Sequence, residues 1–190
     1  MQTKQGFSLI ELSFVILIIA IISGSILSSQ NLIENSQTKK IIKIINEQNI
    51  ATVEFVANYN NLPGDIDFQS ASFFFGSKAV NPSGNNDSKI STSSPLEPVL
   101  FYYYLAQAGL YKGPFSSDSN SFRPNDNIPL IPGTGFGILP YSNNSSKTLW
   151  HLGITNGVGL SLAYALNPSI AYGIDKKLDD GFPNRGIVKA

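Results

Sequence analysis

Residues 7–27 are apolar almost throughout, and Glu11 is their sole charge. At 1.5 Å per residue, a helix of that length covers roughly 30 Å, the hydrocarbon thickness of a bilayer. A transmembrane helix is therefore predicted there. Beyond residue 30 the pattern becomes periodic. Ile41, Ile42, Ile44, Ile45, Val53, Phe55 and Val56 gather toward one side, and the set Ile42, Ile45, Asn49, Val53, Val56 keeps helical spacing. Lys39, Lys40, Lys43, Glu47 and Glu54 surround it, as in an amphipathic helix that lays one stripe on a core. Residues 1–60 hold two glycines and no proline, so nothing interrupts the two halves. One helix from about Ser8 to Tyr59, on the order of 75 Å long, is expected. Leu62-Pro63-Gly64-Asp65 ends it.

The remaining residues carry the other fourteen glycines and all eleven prolines, and they read as a compact head. Residues 70–75 form an apolar segment, and residues 81–95 a polar loop rich in serine and asparagine. Ser94-Pro95-Leu96-Glu97 is a capping box with proline at the first helical position, predicting a helix over about 95–108 that stops at Gly109. Leu100, Phe101, Tyr104 and Leu105 hold its core spacing. Residues 113–135 are loop-like, and short strands are predicted at 136–141, 148–152 and 186–189. Asn167 and Pro168 cap a last helix with Ile170, Ile174 and Leu178 at i, i+4 and i+8, closed by Asp179-Asp180-Gly181. The sum is an α+β chain.

Composition narrows the function. Thirteen basic and thirteen acidic residues cancel among 190, without long runs of either sign. A protein that neutralises phosphates needs a basic excess, so no nucleic-acid partner is expected. Hydrophobic residues at 42% argue against disorder. The chain has no cysteine, which removes disulfides, thiol catalysis and cysteine-ligated zinc together.

Gln5-Gly6-Phe7-Ser8-Leu9-Ile10-Glu11-Leu12, followed by the apolar run, resembles the cleavage and methylation motif of type IV prepilins and type II secretion pseudopilins. Gln5 stands where that family usually carries lysine or arginine, with Lys4 one place earlier. Three further segments are similar to a bacterial prepilin-like subgroup: Tyr59-Asn60-Asn61-Leu62-Pro63-Gly64-Asp65, Leu105-Ala106-Gln107-Ala108-Gly109-Leu110 and Ile174-Asp175-Lys176-Lys177-Leu178-Asp179-Asp180-Gly181. The resemblance implies a pilin-like fold with a leader at residues 1–6, a membrane helix at 7–29 and a head at 30–190. It implies a prepilin peptidase that cuts between Gly6 and Phe7, N-methylation of Phe7, and Glu11 as the residue that sets assembly register. It also implies, as partners, membrane lipid, other pilin or pseudopilin subunits and an inner-membrane assembly platform, with the head outside the cytoplasm. The function so implied is a structural one, a filament subunit and not an enzyme.

Charge physics supports a role for Glu11. A carboxylate within a membrane span is costly and is usually functional and paired. Cutting after Gly6 gives Phe7 a free α-amino group, largely positive at neutral pH. In a stack of helices, that amine on one copy meets Glu11 of its neighbour, and a slipped stack leaves both unpaired. Two other readings use the same segment. Ser23-Gly24-Ser25 has the small-x-small form of a secretory cleavage site, which would release a soluble domain starting at Ile26. A single-pass anchored binding domain that never assembles needs the span alone.

Catalytic candidates are weak. The single histidine, His151, lies beside the single tryptophan, Trp150, in a predicted strand, and Gly-x-Ser-x-Gly is absent. Gly133-Thr134-Gly135-Phe136-Gly137 lacks phosphate-loop spacing and reads as a turn. Tyr102-Tyr103-Tyr104 and Phe73-Phe74-Phe75 suit core on one side and a subunit interface on the other. The better chemical lead is Asp175, Asp179 and Asp180 at the end of the last helix. Carboxylates there oppose the helix dipole, so a cation is called for. Lys176 and Lys177 are one answer. Calcium is the sharper alternative to that simpler one. The resemblance implies it, since major pseudopilins carry calcium in a C-terminal loop. Three carboxylates are too few to close a site, so backbone carbonyls around Gly181–Asn184 would complete it.

Overall fold

The structure is a computed structural model; it describes residues 6, 8–91, 96–142, 148–154, 166–186 and 188. Helix α1 runs without a break from Leu9 to Tyr59. It ends where Asn60 turns left-handed (φ 52°), its N–H still bonded to the Val56 carbonyl at 2.9 Å. Asparagine tolerates that conformation because its short polar side chain costs little there. Helix α2 (Phe68–Phe75) follows, opened by Asp67, whose carboxylate accepts the Ser70 N–H at 3.0 Å and its hydroxyl at 2.7 Å. These bonds, made to the charged form, hold the Asp67 carboxyl below the usual range. Helix α3 is Leu96–Gln107, β1 Gly137–Ser142, β2 Thr148–Ile154 and α4 Pro168–Leu178. The α+β, pilin-like arrangement expected from the sequence is present.

The head is organised around α3, which is buried on nearly every side. Its low amphipathicity follows from that: a helix covered all round has no polar face. The phenol oxygens find partners at the periphery. Tyr102 donates to the Ile138 carbonyl at 3.1 Å, Tyr103 to the Lys78 carbonyl at 2.9 Å, and Tyr104 accepts the Val80 N–H at 3.1 Å. Satisfying each hydroxyl removes the desolvation cost of burying it. One hydrophobic cluster joins Ala51 and Phe55 of α1 to α3, Phe122, Ile128 and Leu139. A second, lower cluster joins Ile41 and Ile45 to Ile131, Ile138 and α4 through Ile170 and Ile174. Gly173 lets α4 approach closely, since a Cβ there would stand 3.2 Å from the Thr38 hydroxyl.

The buried stripe of α1 is rotated from the one predicted. Thr38, Ile41, Ile45, Gln48, Ala51 and Phe55 face the core, whereas Val53 is 69% exposed and Val56 and Asn49 also face outward. Both stripes pass through Ile45, and the isoleucines at 41, 42, 44 and 45 supply apolar surface to either side. The Phe55 ring decides the phase, because it buries far more area than a valine. Asn49 is not wasted outside: it accepts the Trp150 indole N–H at 2.8 Å and ties α1 to β2.

Strands β1 and β2 pair antiparallel, with Leu139 opposite His151 and Pro140 opposite Trp150. Proline fits because a two-stranded sheet leaves its backbone nitrogen on an edge. Both strands reach slightly beyond the predicted limits. The third predicted strand, at 186–189, is not formed at Gly186 or Val188; Gly186 has φ +75°, which an extended strand does not allow. Its other residues lie outside the described set. The apolar segment at 70–75 belongs to α2, so a second short helix stands where the sequence showed only hydrophobicity.

Candidate functional site

The N-terminal half of α1 lies apart from the head. It contains a stretch long and apolar enough to cross a membrane, with mean hydropathy 2.5 and none of it buried by the rest of the chain. Side chains from Leu9 to Ile26 are exposed on all sides of the helix. Such a surface demands lipid or other apolar helices around it. Its serines suit that environment. Ser13 donates to the Ile10 carbonyl at 2.8 Å and Ser25 to the Ile21 carbonyl at 2.9 Å, so their hydroxyls need no partner outside the helix.

Glu11 sits in the first turn of α1 and reaches back to accept the Ser8 backbone N–H at 2.8 Å. It thereby satisfies one of the unpaired donors that every helix start leaves, and its charge complements the positive end of the helix dipole. Gly6 is exposed, with open space where a Cβ would stand. Phe7 lies outside the described residues. The helix passes through Ser23-Gly24-Ser25 without a turn.

At the other end of the chain, Asp175, Asp179 and Asp180 each bring a carboxylate oxygen within 4.8 Å of the others. Asp175 is 4% exposed, and its Oδ1 has no hydrogen-bond partner among the described residues. Asp179 Oδ2 accepts the Val188 N–H at 3.2 Å, and the backbone at Gly186 rests against the same carboxylate. The two lysines offered by the sequence as compensation form no ion pair with these carboxylates among the described residues. Lys176 stands over the Tyr172 ring at 5.8 Å, and Lys177 lines a groove of about 470 Å³ beside Lys39 and Lys43 of α1. A buried carboxylate oxygen without a donor is costly, so the donor set fits a hard cation better than it fits an empty cap.

His151 packs its ring on Tyr141, with centroids 3.7 Å apart. Its Nδ1 is buried without a partner among the described residues, and burial holds the imidazole below the usual histidine range. The ring is placed as part of the hairpin, and among the described residues its Nδ1 meets neither a serine nor a carboxylate. Of the aromatic runs, Tyr102 and Tyr104 are core, while Phe73 is 83% exposed near the end of α2 with the Phe74 ring 5.1 Å away.

Sequence reasoning missed a second acidic group. Asp65, from the turn after α1, and Glu97, from the first turn of α3, are both buried, with Asp87 nearby. Leu62-Pro63-Gly64-Asp65 and Ser94-Pro95-Leu96-Glu97 marked its two members separately, as a turn and a helix start, with nothing to join them. A Cβ at Gly64 would collide with the Glu97 carbonyl, so the glycine exists to let this turn lie on α3.

Residues 1–27 match the family model described as the prokaryotic N-terminal methylation motif, the cleavage and methylation signal of type IV pilin and pseudopilin precursors. No curated protein and no solved structure matches the chain.

Proposed function

We propose that this chain is the precursor of a filament subunit, a type IV pilin or a type II secretion pseudopilin. The observation that carries the reading is the methylation motif joined to α1, whose first half is bare and apolar and whose second half is core of the head. A prepilin peptidase removes residues 1–6 by cutting between Gly6 and Phe7, and Phe7 is then N-methylated. Residues 7–29 hold the mature subunit in the inner membrane, with residues 30–190 outside the cytoplasm. An inner-membrane platform then lifts the subunit into a helical array, where the bare half of α1 exchanges lipid for the same segment of neighbouring copies. Glu11 sets the step by pairing with the Phe7 amine of a neighbour. The apolar outer face at Ile50 and Val53 continues the contact surface upward from the membrane half.

Crosslinking of intact cells tests assembly. A filament subunit gives a ladder of multiples of the mature chain; an anchored domain that works alone gives monomer only, and that outcome sinks the reading.

The same proposal extends to calcium, held by Asp175, Asp179 and Asp180, with Oδ1 of Asp175 among its ligands. Bound there, the ion supplies the positive charge that the end of α4 calls for and fastens the Val188 segment, through Asp179, over the lower hydrophobic cluster. A cation that binds only the native state raises the melting temperature by mass action, by about 2.7 kcal/mol of stability at a hundredfold excess over Kd. Wild type is expected to melt several degrees higher in calcium than in chelator. Asp175→Asn, which keeps the shape and loses the charge, is expected to lose that shift. Equal melting of wild type in both conditions removes calcium from the reading and leaves the filament intact.

A further inference from the structure

The loop over residues 83–91 is held to the head by carboxylates. Asp65, 1% exposed, accepts the Asp87 N–H on Oδ1 at 3.1 Å and the Ser88 N–H on Oδ2 at 2.7 Å. Its backbone carbonyl accepts the Asn86 N–H at 2.8 Å, so three successive amides converge on one residue. Asn86 (φ 59°) and Ser88 (φ 62°) turn left-handed to aim them, forming the kind of concave amide nest that binds anions. Glu97, 7% exposed, accepts the Ser91 N–H on Oε2 at 2.7 Å. Between these anchors the loop sinks Ile90 into the core and exchanges backbone and hydroxyl bonds with Ser142 at the end of β1.

The arrangement has an electrostatic fault. The charges that bear on Glu97 are Asp65 from the turn after α1 and Asp87 from the loop itself, both negative. Lys89, the cation of the loop, forms no ion pair with any of the three among the described residues, and the ion pairs found there involve Glu47, Asp118 and Asp126 instead. We propose that the 83–91 loop is a proton-controlled latch, fastened while the buried Glu97 carboxyl is neutral and loosened when Glu97 ionises beside Asp65. A neutral carboxyl still accepts the Ser91 N–H through its carbonyl oxygen, so protonation removes the repulsion without removing the bond.

The working range lies close to neutrality. Burial, with the Asp65 and Asp87 charges adding to it and the Ser91 N–H opposing, pushes Glu97 up to about 6. A carboxyl raised in the closed state binds its proton more tightly there than in the open state. Closure is therefore strongest below the open-state value of 4.5 and has lost this contribution once pH passes about 6. Opening frees the Ser142 end of β1 and uncovers Ile90.

Hydrogen–deuterium exchange of the full-length chain in detergent micelles, corrected for the intrinsic pH dependence of amide exchange, reads the latch directly. Protection of the 83–91 amides is expected to fall roughly tenfold between pH 5 and pH 7.5 in wild type. Glu97→Gln keeps the acceptor and cannot ionise, so its protection is expected to stay level across that range. Asp87→Asn removes one repelling charge at an exposed position and is expected to move the wild-type midpoint to lower pH. Level protection in wild type overturns the latch, as does an undiminished fall in Glu97→Gln or an unmoved midpoint in Asp87→Asn.

Discussion

Gly6→Val is expected to leave the leader on the chain and strand the full-length protein in the membrane. The chain itself has no use for glycine at this position: a Cβ there meets nothing within 4 Å, and the substitution leaves α1 and the head undisturbed. The demand comes from outside. A peptidase that cuts beside Gly6 must bring its catalytic groups against the scissile backbone, and a branched side chain holds them off. Processing should fall by orders of magnitude, because misplacing a reacting bond by about 1 Å costs roughly a hundredfold in rate. Intact mass of the membrane-extracted protein decides the outcome. Wild type should begin at Phe7 and Gly6→Val at Met1 or Gln2. Efficient cleavage of Gly6→Val at the same bond sinks the assigned site, and a wild-type chain beginning at Ile26 assigns the segment to secretion instead.

Glu11→Ala is expected to be processed normally and to fail in assembly. The scissile bond is untouched, and alanine is comfortable in lipid. On the proposed register, what changes is the neighbour's amine, left without its partner in hydrocarbon at a cost of several kcal/mol, about 3–5 by analogy with broken buried pairs. At 1.4 kcal/mol per factor of ten, that removes nearly all filament. Glu11 has a second role in this structure, as acceptor of the Ser8 N–H, so its loss also frays the start of α1. Glu11→Gln separates the two, since the amide oxygen still accepts that N–H but carries no charge. If register depends on charge, Glu11→Gln assembles as poorly as Glu11→Ala. Filament yield in sheared fractions, beside the mass of the mature chain, gives the comparison. Wild-type yield from Glu11→Gln would reduce Glu11 to a helix cap.

How far the chain could be read ahead of its structure depended on whether the signal was local. Asn167-Pro168 with Ile170, Ile174 and Leu178 marks α4 because the cap directly precedes the eleven residues that carry the spacing. The long α1 was equally plain, since the absence of proline and the change from uniform to periodic hydrophobicity are local facts. Its phase was not, because four isoleucines at 41, 42, 44 and 45 serve two faces equally and only the docking of Phe55 on α3 chooses between them. The Asp65–Glu97 pair was invisible for a related reason: the two residues are thirty-two apart, and no periodicity links a turn to the start of another helix. Asp175, Asp179 and Asp180 were legible as a cluster, but the orphaned oxygen that makes the cluster informative appears only in three dimensions.

The stretch of α1 at residues 29–33 touches neither the bare membrane half's surroundings nor the head, and all five of its side chains are exposed. Local bonds alone keep it helical: its backbone ladder, with Ser29 donating to the Ser25 carbonyl at 2.8 Å and the Asn31 carbonyl accepting the Asn35 side-chain amide at 2.9 Å. When tension runs along the axis of the molecule, this collar yields before the part of α1 packed in the head, because pulling it out breaks no hydrophobic contact there. Each residue drawn from helix to extended chain adds about 1.8 Å, so unwinding all five adds roughly 9 Å. A pull along the axis of the molecule is therefore expected to lengthen it at this collar before the hydrophobic clusters of the head give way.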